Sequence, residues 1–117
     1  MQSVNTGKLR QMRQEKDDLA VVNVLSREEF RHRHIPGSKN IPLTEPDFIE
    51  KVEDTIGGRE RPVVVYCASE ACETSEEAAA KLDEAGFREV YDYVGGMQAW
   101  QEAGEPVQAG ARPGHLA

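Results

Sequence analysis

Apolar residues fall in short clusters separated by polar turns, and the spacing within each cluster predicts an element. Leu19-Ala20-Val21-Val22-Asn23-Val24 is a β-branched run of strand length. Ser26-Arg27-Glu28-Glu29 follows and fits a capping box, with Ser26 as N-cap and Glu29 at N3, opening a very short helix through Phe30. His34-Ile35-Pro36-Gly37-Ser38 is turn chemistry, and Asn40-Ile41-Pro42-Leu43 reads as a short strand or edge segment. Pro46 suits the first position of a helix whose inner face uses Phe48, Ile49, Val52 and Ile56, and Gly57-Gly58 stops it.

Pro62-Val63-Val64-Val65-Tyr66 is apolar without interruption, the mark of a strand covered on both faces, and it ends at Cys67. Residues 75–85 predict the best helix, with Ala78, Ala79, Leu82 and Ala85 on one side. Gly86 is placed for a left-handed C′ cap that lets Phe87 touch Leu82. Val90 to Val94 predicts another strand, and Gly95-Gly96 opens a last helix carrying Met97 and Trp100, closed by Gly104 and Pro106. In 7–18 only Leu9 and Met12 share a helical face, so a short peripheral helix after Thr6 and a frayed N-terminus both fit.

Strands alternating with helices predict an α/β domain: a small parallel sheet flanked by helices on both faces. The link from Tyr66 to Val90 is long enough for a right-handed crossover. The expected division is a helical or frayed extension over 1–18, one domain over 19–107 and a flexible tail over 108–117.

Composition narrows the function classes. The chain has 117 residues and a formal net charge of −7. That acidic balance argues against a nucleic-acid partner, which would need a basic face. No apolar run approaches the ~18 residues of a membrane span, so no membrane partner is expected. Two cysteines, Cys67 and Cys72, are too few for a disulfide-stapled secreted scaffold, and a cytoplasmic location is expected.

In open parallel sheets, ligands collect beyond the carboxyl ends of the strands. Cys67 stands there, and the loop Ala68, Ser69, Glu70, Ala71, Cys72, Glu73, Thr74 leads into a helix N-terminus. Backbone amides in such a turn can hold an anion and draw a thiol pKa below its free value of ~8.5. The other reading of Cys67 is a buried space-filler. His34 lies in turn chemistry and reads as a structural hydrogen-bonding residue. His32 and His34 have no zinc-type spacing with the cysteines, so no metal site is expected. Gly95-Gly96 is explained by close backbone packing, and Arg31 and Arg33 read as surface charges.

Taken in order, several segments resemble the rhodanese-like domain, the single-domain sulfurtransferase type, over about residues 19–107. They are Val21-Val22-Asn23-Val24, Glu28-Glu29-Phe30, His34-Ile35-Pro36-Gly37-Ser38-Lys39-Asn40-Ile41-Pro42 and Val64-Val65-Tyr66-Cys67. Ala78-Ala79-Ala80, Leu82, Gly86-Phe87, Val90, Gly95-Gly96-Met97-Gln98-Ala99-Trp100 and Gly104-Glu105-Pro106-Val107 follow. The resemblance implies a covalent two-step transfer. Cys67 takes sulfane sulfur as a persulfide, loop amides steady it, and a nucleophilic acceptor removes it, with no cofactor.

Three departures stand out. Where the family loop reads Cys-x-x-Gly-x-Arg-Ser, this chain has Cys67-Ala68-Ser69-Glu70-Ala71-Cys72-Glu73-Thr74-Ser75, longer and without the glycine or arginine. The loop is acidic, through Glu70 and Glu73, with Glu76 and Glu77 beyond; outward-pointing carboxylates are expected, and thiosulfate becomes a poor candidate donor. The family's Asp-x-Arg after the first strand is Asn23-Val24-Leu25, which keeps hydrogen bonds and loses an ion pair.

Cys72 reads either as a small residue packed under the loop or as a resolving thiol, since a curved loop could bring its Cα within the ~4.4–6.8 Å of a disulfide. The expected function is a sulfurtransferase or persulfide carrier. Its partners would be a small sulfane-sulfur donor or protein persulfide, and a thiol or other nucleophilic acceptor. The rival readings are a non-catalytic sensing or docking module and, through the long loop, a phosphatase or arsenate reductase-like activity.

Overall fold

The run Val63-Val64-Val65-Tyr66 becomes strand β4, and all four residues are buried. In the computed structural model, which describes residues 1–110, β4 is the centre of a five-stranded parallel sheet. The strands are β1 (Gln2–Val4), β2 (Ala20–Asn23), β3 (Lys39–Asn40), β4 and β5 (Val90–Tyr93), in spatial order β1-β5-β4-β2-β3. The helices are α1 (Thr6–Glu15), α2 (Arg27–His32), α3 (Phe48–Ile56), α4 (Thr74–Glu84) and α5 (Gly96–Glu102).

Alternation along β4 sorts its residues between two cores. Val63, Val65 and Cys67 join Phe48, Val52 and Ile56 of α3 and Ala78, Ala79 and Leu82 of α4. Val64 and Tyr66 join Leu9 and Met12 of α1 and Met97 and Trp100 of α5 on the opposite side. A period of two therefore leaves no polar face on the central strand, and this explains its unbroken apolar sequence.

Local chemistry sets the element ends. The Glu29 amide donates to the Ser26 hydroxyl at 3.2 Å, half of the expected capping box, while the Ser26 hydroxyl reaches the Glu29 carboxylate at 3.4 Å. Gly86, at φ 93°, closes α4: its amide bonds Asp83 O, and the Phe87 amide bonds Leu82 O, each at 3.1 Å. This is a Schellman cap, and Phe87 packs in the same core as Leu82.

Four expectations change. Asp47 takes the N-cap of α3, which leaves Pro46 one residue outside the helix. The edge strand is Lys39–Asn40 rather than 40–43, although the Ile41 and Leu43 amides still donate to the Asn23 and Val24 carbonyls at 2.9 and 3.1 Å. The segment 1–18 is woven into the same body: β1 pairs with β5, and Leu9 and Met12 are fully buried rather than peripheral. Gln108, placed in the tail, exchanges two backbone hydrogen bonds with His34. The rest of that tail, from 111, lies outside the described residues.

Candidate active site

Cys67 ends the central strand, and two backbone contacts fix it there. The amide of Met97 donates to the Cys67 carbonyl, and that of Gln98 to the Ala68 carbonyl, each at 2.9 Å. The approach is this close because Gly96, at φ 61°, has no β-carbon to strike the Cys67 carbonyl. The packing role read for Gly95-Gly96 is thus what the structure shows.

The thiol itself is fully buried. It donates toward the carbonyl of Cys72 at 3.4 Å and more weakly toward that of Ser69 at 3.9 Å. The Cys72 amide is committed to Ser69 O at 3.0 Å. Carbonyls, not a ring of amides, therefore face the sulfur from this part of the loop. Burial pushes the Cys67 thiol up, and its hydrogen bond to Cys72 adds to the rise, against the opposing hydroxyl and amide of Ser75. This corrects the expectation of a lowered Cys67 pKa: desolvation outweighs the donors that remain.

Cys72 lies beside Cys67 and is half-buried, and both are free thiols. Burial raises its pKa too, but hydrogen bonds from Cys67, from Thr74 and from the Ala68 backbone outweigh it, and the Cys72 thiol ends below its ordinary value. The loop thus holds two neighbouring sulfurs, the buried one disposed to keep its proton and the more open one to lose it.

Glu70, Glu73, Glu76 and Glu77 are all exposed, as expected, so no carboxylate of the loop enters the sulfur's surroundings. Ala71 is exposed, and Ser69 and Thr74 are half-buried. On the neighbouring strand, Asp92 of β5 is buried in register with Val65, two residues before Cys67. Burial pushes its carboxyl up, the Ser75 hydroxyl pulls it down, and the charge of Glu76 pushes it up again. Its Oδ1 has no partner among the described residues. Ser75 thus bears on the titration of both Cys67 and Asp92. Sequence reasoning missed Asp92, although a lone acid inside an apolar strand is the signal that marks it.

His34 is structural: its ring stacks on Phe30 at 3.8 Å, and Nδ1 bonds the Phe30 carbonyl at 2.8 Å. Asn23 accepts the Leu25 amide at 2.9 Å, an aspartate-like turn without the charge. Beside the loop, a cleft of about 460 Å³ is lined by Leu25, Glu29, His32, Arg33, Ala68 and Met97. Among the described residues no three His, Cys, Asp or Glu side chains converge as a metal site would require. None of the helices there is long and apolar enough to cross a membrane.

This architecture has relatives. The family model for the rhodanese-like domain matches residues 5–103. The chain belongs to that family. The match begins before α1, in keeping with the burial of Leu9 and Met12. Over 103 residues the chain is 36% identical to the HTH-type transcriptional regulator Rv0324 of Mycobacterium tuberculosis; this covers 88% of the chain but only 43% of the regulator. It is 34% identical over 97 residues to thiosulfate sulfurtransferase 16, chloroplastic, of Arabidopsis thaliana, covering 75% of this chain and 78% of the relative. Among solved structures, the BH2092 protein of Bacillus halodurans superposes with a TM-score of 0.78 at 26% identity, covering 93% of this chain and 77% of that one. The parallel sheet and its helices are therefore shared with these relatives.

Proposed function

We propose that this rhodanese-like chain is a sulfurtransferase or persulfide carrier that moves sulfane sulfur through Cys67. The seat of Cys67 carries the reading: a buried sulfur at the carboxyl end of the central strand, opening a strand–loop–helix turn, in a family whose relatives include thiosulfate sulfurtransferases. In loading, the Cys67 thiolate attacks the sulfane sulfur of a polysulfide or of a small or protein persulfide. A bond to Cys67 forms, and the donor's bond to that sulfur breaks with its electron pair leaving on the donor. The thiol is buried under the loop, so loading includes a turn of residues 68–74 that exchanges the Ser69 and Cys72 carbonyls for the incoming sulfur. In unloading, an acceptor thiolate takes the outer sulfur, and the electron pair returns to Cys67.

Cys72 supplies a second exit. Its thiolate attacks the inner sulfur of the Cys67 persulfide, which forms a Cys67–Cys72 disulfide and releases the outer sulfur as sulfide. The contact of the Cys67 sulfur with the Cys72 carbonyl at 3.4 Å and the lowered pKa of Cys72 support that role.

Intact mass without oxygen tests the reading, with reduced wild type, Cys67→Ser and Cys72→Ser each exposed to thiosulfate, polysulfide or a small persulfide. One added sulfur on wild type, absent from Cys67→Ser and longer-lived on Cys72→Ser, is expected. No adduct from any donor overturns it. A non-catalytic sensing or docking module is the second reading, favoured by the buried thiol with its raised pKa and by the likeness to a regulator. It predicts that absence of any adduct.

A further inference from the structure

The loop around Cys67 has no cation, yet one stands beside it. Arg33 lines the cleft of about 460 Å³ together with Ala68, and it lines a second cleft of about 470 Å³ with Ala68 and Ser69. The two clefts thus share Arg33 and the residue that follows the nucleophile. Arg33 follows directly on α2, where its backbone leaves the helix, and the next residue, His34, is tied to Gln108 by hydrogen bonds of 2.9 and 3.0 Å. The backbone that carries the guanidinium is therefore fixed.

The guanidinium itself is available. It is exposed, and it donates once, from Nη1 to the neutral side-chain carbonyl of Gln101 at 2.6 Å. Arg10, Arg59 and Arg88, by contrast, each hold a carboxylate. A guanidinium presents five donors in a planar fork that fits a carboxylate at two points, and Arg33 commits one of them to Gln101; the second cleft also carries Glu102, so the first is the better seat for an anion. Leu25 and Met97 give the first cleft an apolar stretch suited to a methylene stem, and Glu29 offers a carboxylate to an ammonium.

We propose that Arg33 is the substrate-binding residue of this site, holding the carboxylate of an amino-acid or peptide thiol, either as the acceptor or as its persulfide. The inference rests on sulfur transfer at Cys67 and names its substrate class. Charge placement favours such a molecule over thiosulfate. A dianion seated wholly in the loop finds no cation there and faces the Ser69 and Cys72 carbonyls, whereas a carboxyl thiol leaves its fixed charge on Arg33 and sends only the sulfur inward. The transfer balances: the acceptor thiolate bonds the outer sulfur of the Cys67 persulfide, the sulfur–sulfur bond breaks, and Cys67 leaves as thiolate while the acceptor becomes a persulfide.

The test compares three acceptors on persulfide-loaded protein: 3-mercaptopropionate, its methyl ester and 2-mercaptoethanol. Wild type is expected to show a KM for the carboxylate at least about tenfold below that for the ester, the scale of a charge-assisted hydrogen bond. Arg33→Gln should erase that gap by raising only the carboxylate's KM, with kcat and the unfolding midpoint unchanged, and Arg33→Lys should restore part of it. Equal KM values in wild type, or an equal loss for all three acceptors in Arg33→Gln, would overturn the assignment.

A second arm does not depend on transfer. 3-(Methylthio)propionate, which cannot react, is titrated by NMR into Cys67→Ser with and without Arg33→Gln. Arginine-dependent binding there with no transfer in wild type would sink the sulfurtransferase reading and leave the carboxylate site standing. Thiosulfate binding more tightly than the carboxylate would give the cleft to an inorganic donor and end the proposal.

Discussion

Gly96 and the carbonyl of Cys67 are in direct backbone contact, because a β-carbon on Gly96 would lie inside the van der Waals shell of that oxygen. The positive φ of Gly96 adds a conformational demand to the steric one. Gly96→Ala should therefore destabilise the fold by about 2–4 kcal/mol. A urea unfolding midpoint reads the loss. Any folded fraction should also load sulfur more slowly, since Met97 and Gln98 could no longer hold the Cys67 and Ala68 carbonyls.

The two loop thiols should react in the reverse of the order that their proposed roles suggest. Alkylation with iodoacetamide across a pH series, located by peptide mass, is expected to label Cys72 at lower pH than Cys67. Replacing Cys72 with alanine removes the side-chain hydrogen bond and the neighbouring charge that both raise the Cys67 pKa, so Cys67 should then alkylate at lower pH than in wild type. An unmoved Cys67 profile would show that burial alone sets its reactivity.

Ser75→Ala removes the hydroxyl that lowers the pKa of both Cys67 and Asp92. The Cys67 alkylation profile should move to higher pH. Leaving buried Asp92 without that hydroxyl should cost about 1–3 kcal/mol of stability, read by urea unfolding.

Asp92→Asn should stabilise the protein, and more so as pH rises. The folded-state pKa of Asp92 lies above its ordinary value of 3.8. The native state then binds this proton more tightly than the unfolded state, so the carboxyl carries no penalty below both pKa values. It destabilises progressively as pH climbs through the interval between them, and fully above the folded value. Unfolding midpoints of wild type and Asp92→Asn from pH 3 to 8 should converge at the acid end and separate toward neutrality. A constant difference would show that the carboxyl does not titrate differently on folding.

Much of the sheet was legible because the central strand is buried on both faces, and only an unbroken apolar run such as Val63 to Tyr66 satisfies that. The caps were legible at Ser26 and Gly86, where one residue type meets a local geometric demand. The helix α1 was not: its stripe is two residues, Leu9 and Met12, and their burial comes from Tyr66, Tyr93 and Trp100, far along the chain. Strand β1 offers one buried residue, Val4, and gave no periodic signal.

At the site, the position of Cys67 followed from strand and loop, and its pairing with Cys72 was a spacing argument. The direction of the loop's carbonyls was beyond reach, since no glycine or proline between residues 68 and 74 dictates a backbone turn. Arg33 read as a surface charge because only the fold brings the end of α2 alongside Ala68.

Strand β1 has a consequence for how the chain assembles. It pairs Gln2 with Tyr91, Ser3 with Asp92 and Val4 with Tyr93, so its partners lie almost the full length of the domain away. A contact of such high sequence separation closes a long loop, and the ladder it joins must exist before it can dock. During synthesis β1 leaves the ribosome long before β5 is made, so none of its ladder hydrogen bonds can form until β5 follows. The edge of the sheet beside Asp92 is therefore completed late in folding, by residues made well before the strand they pair with.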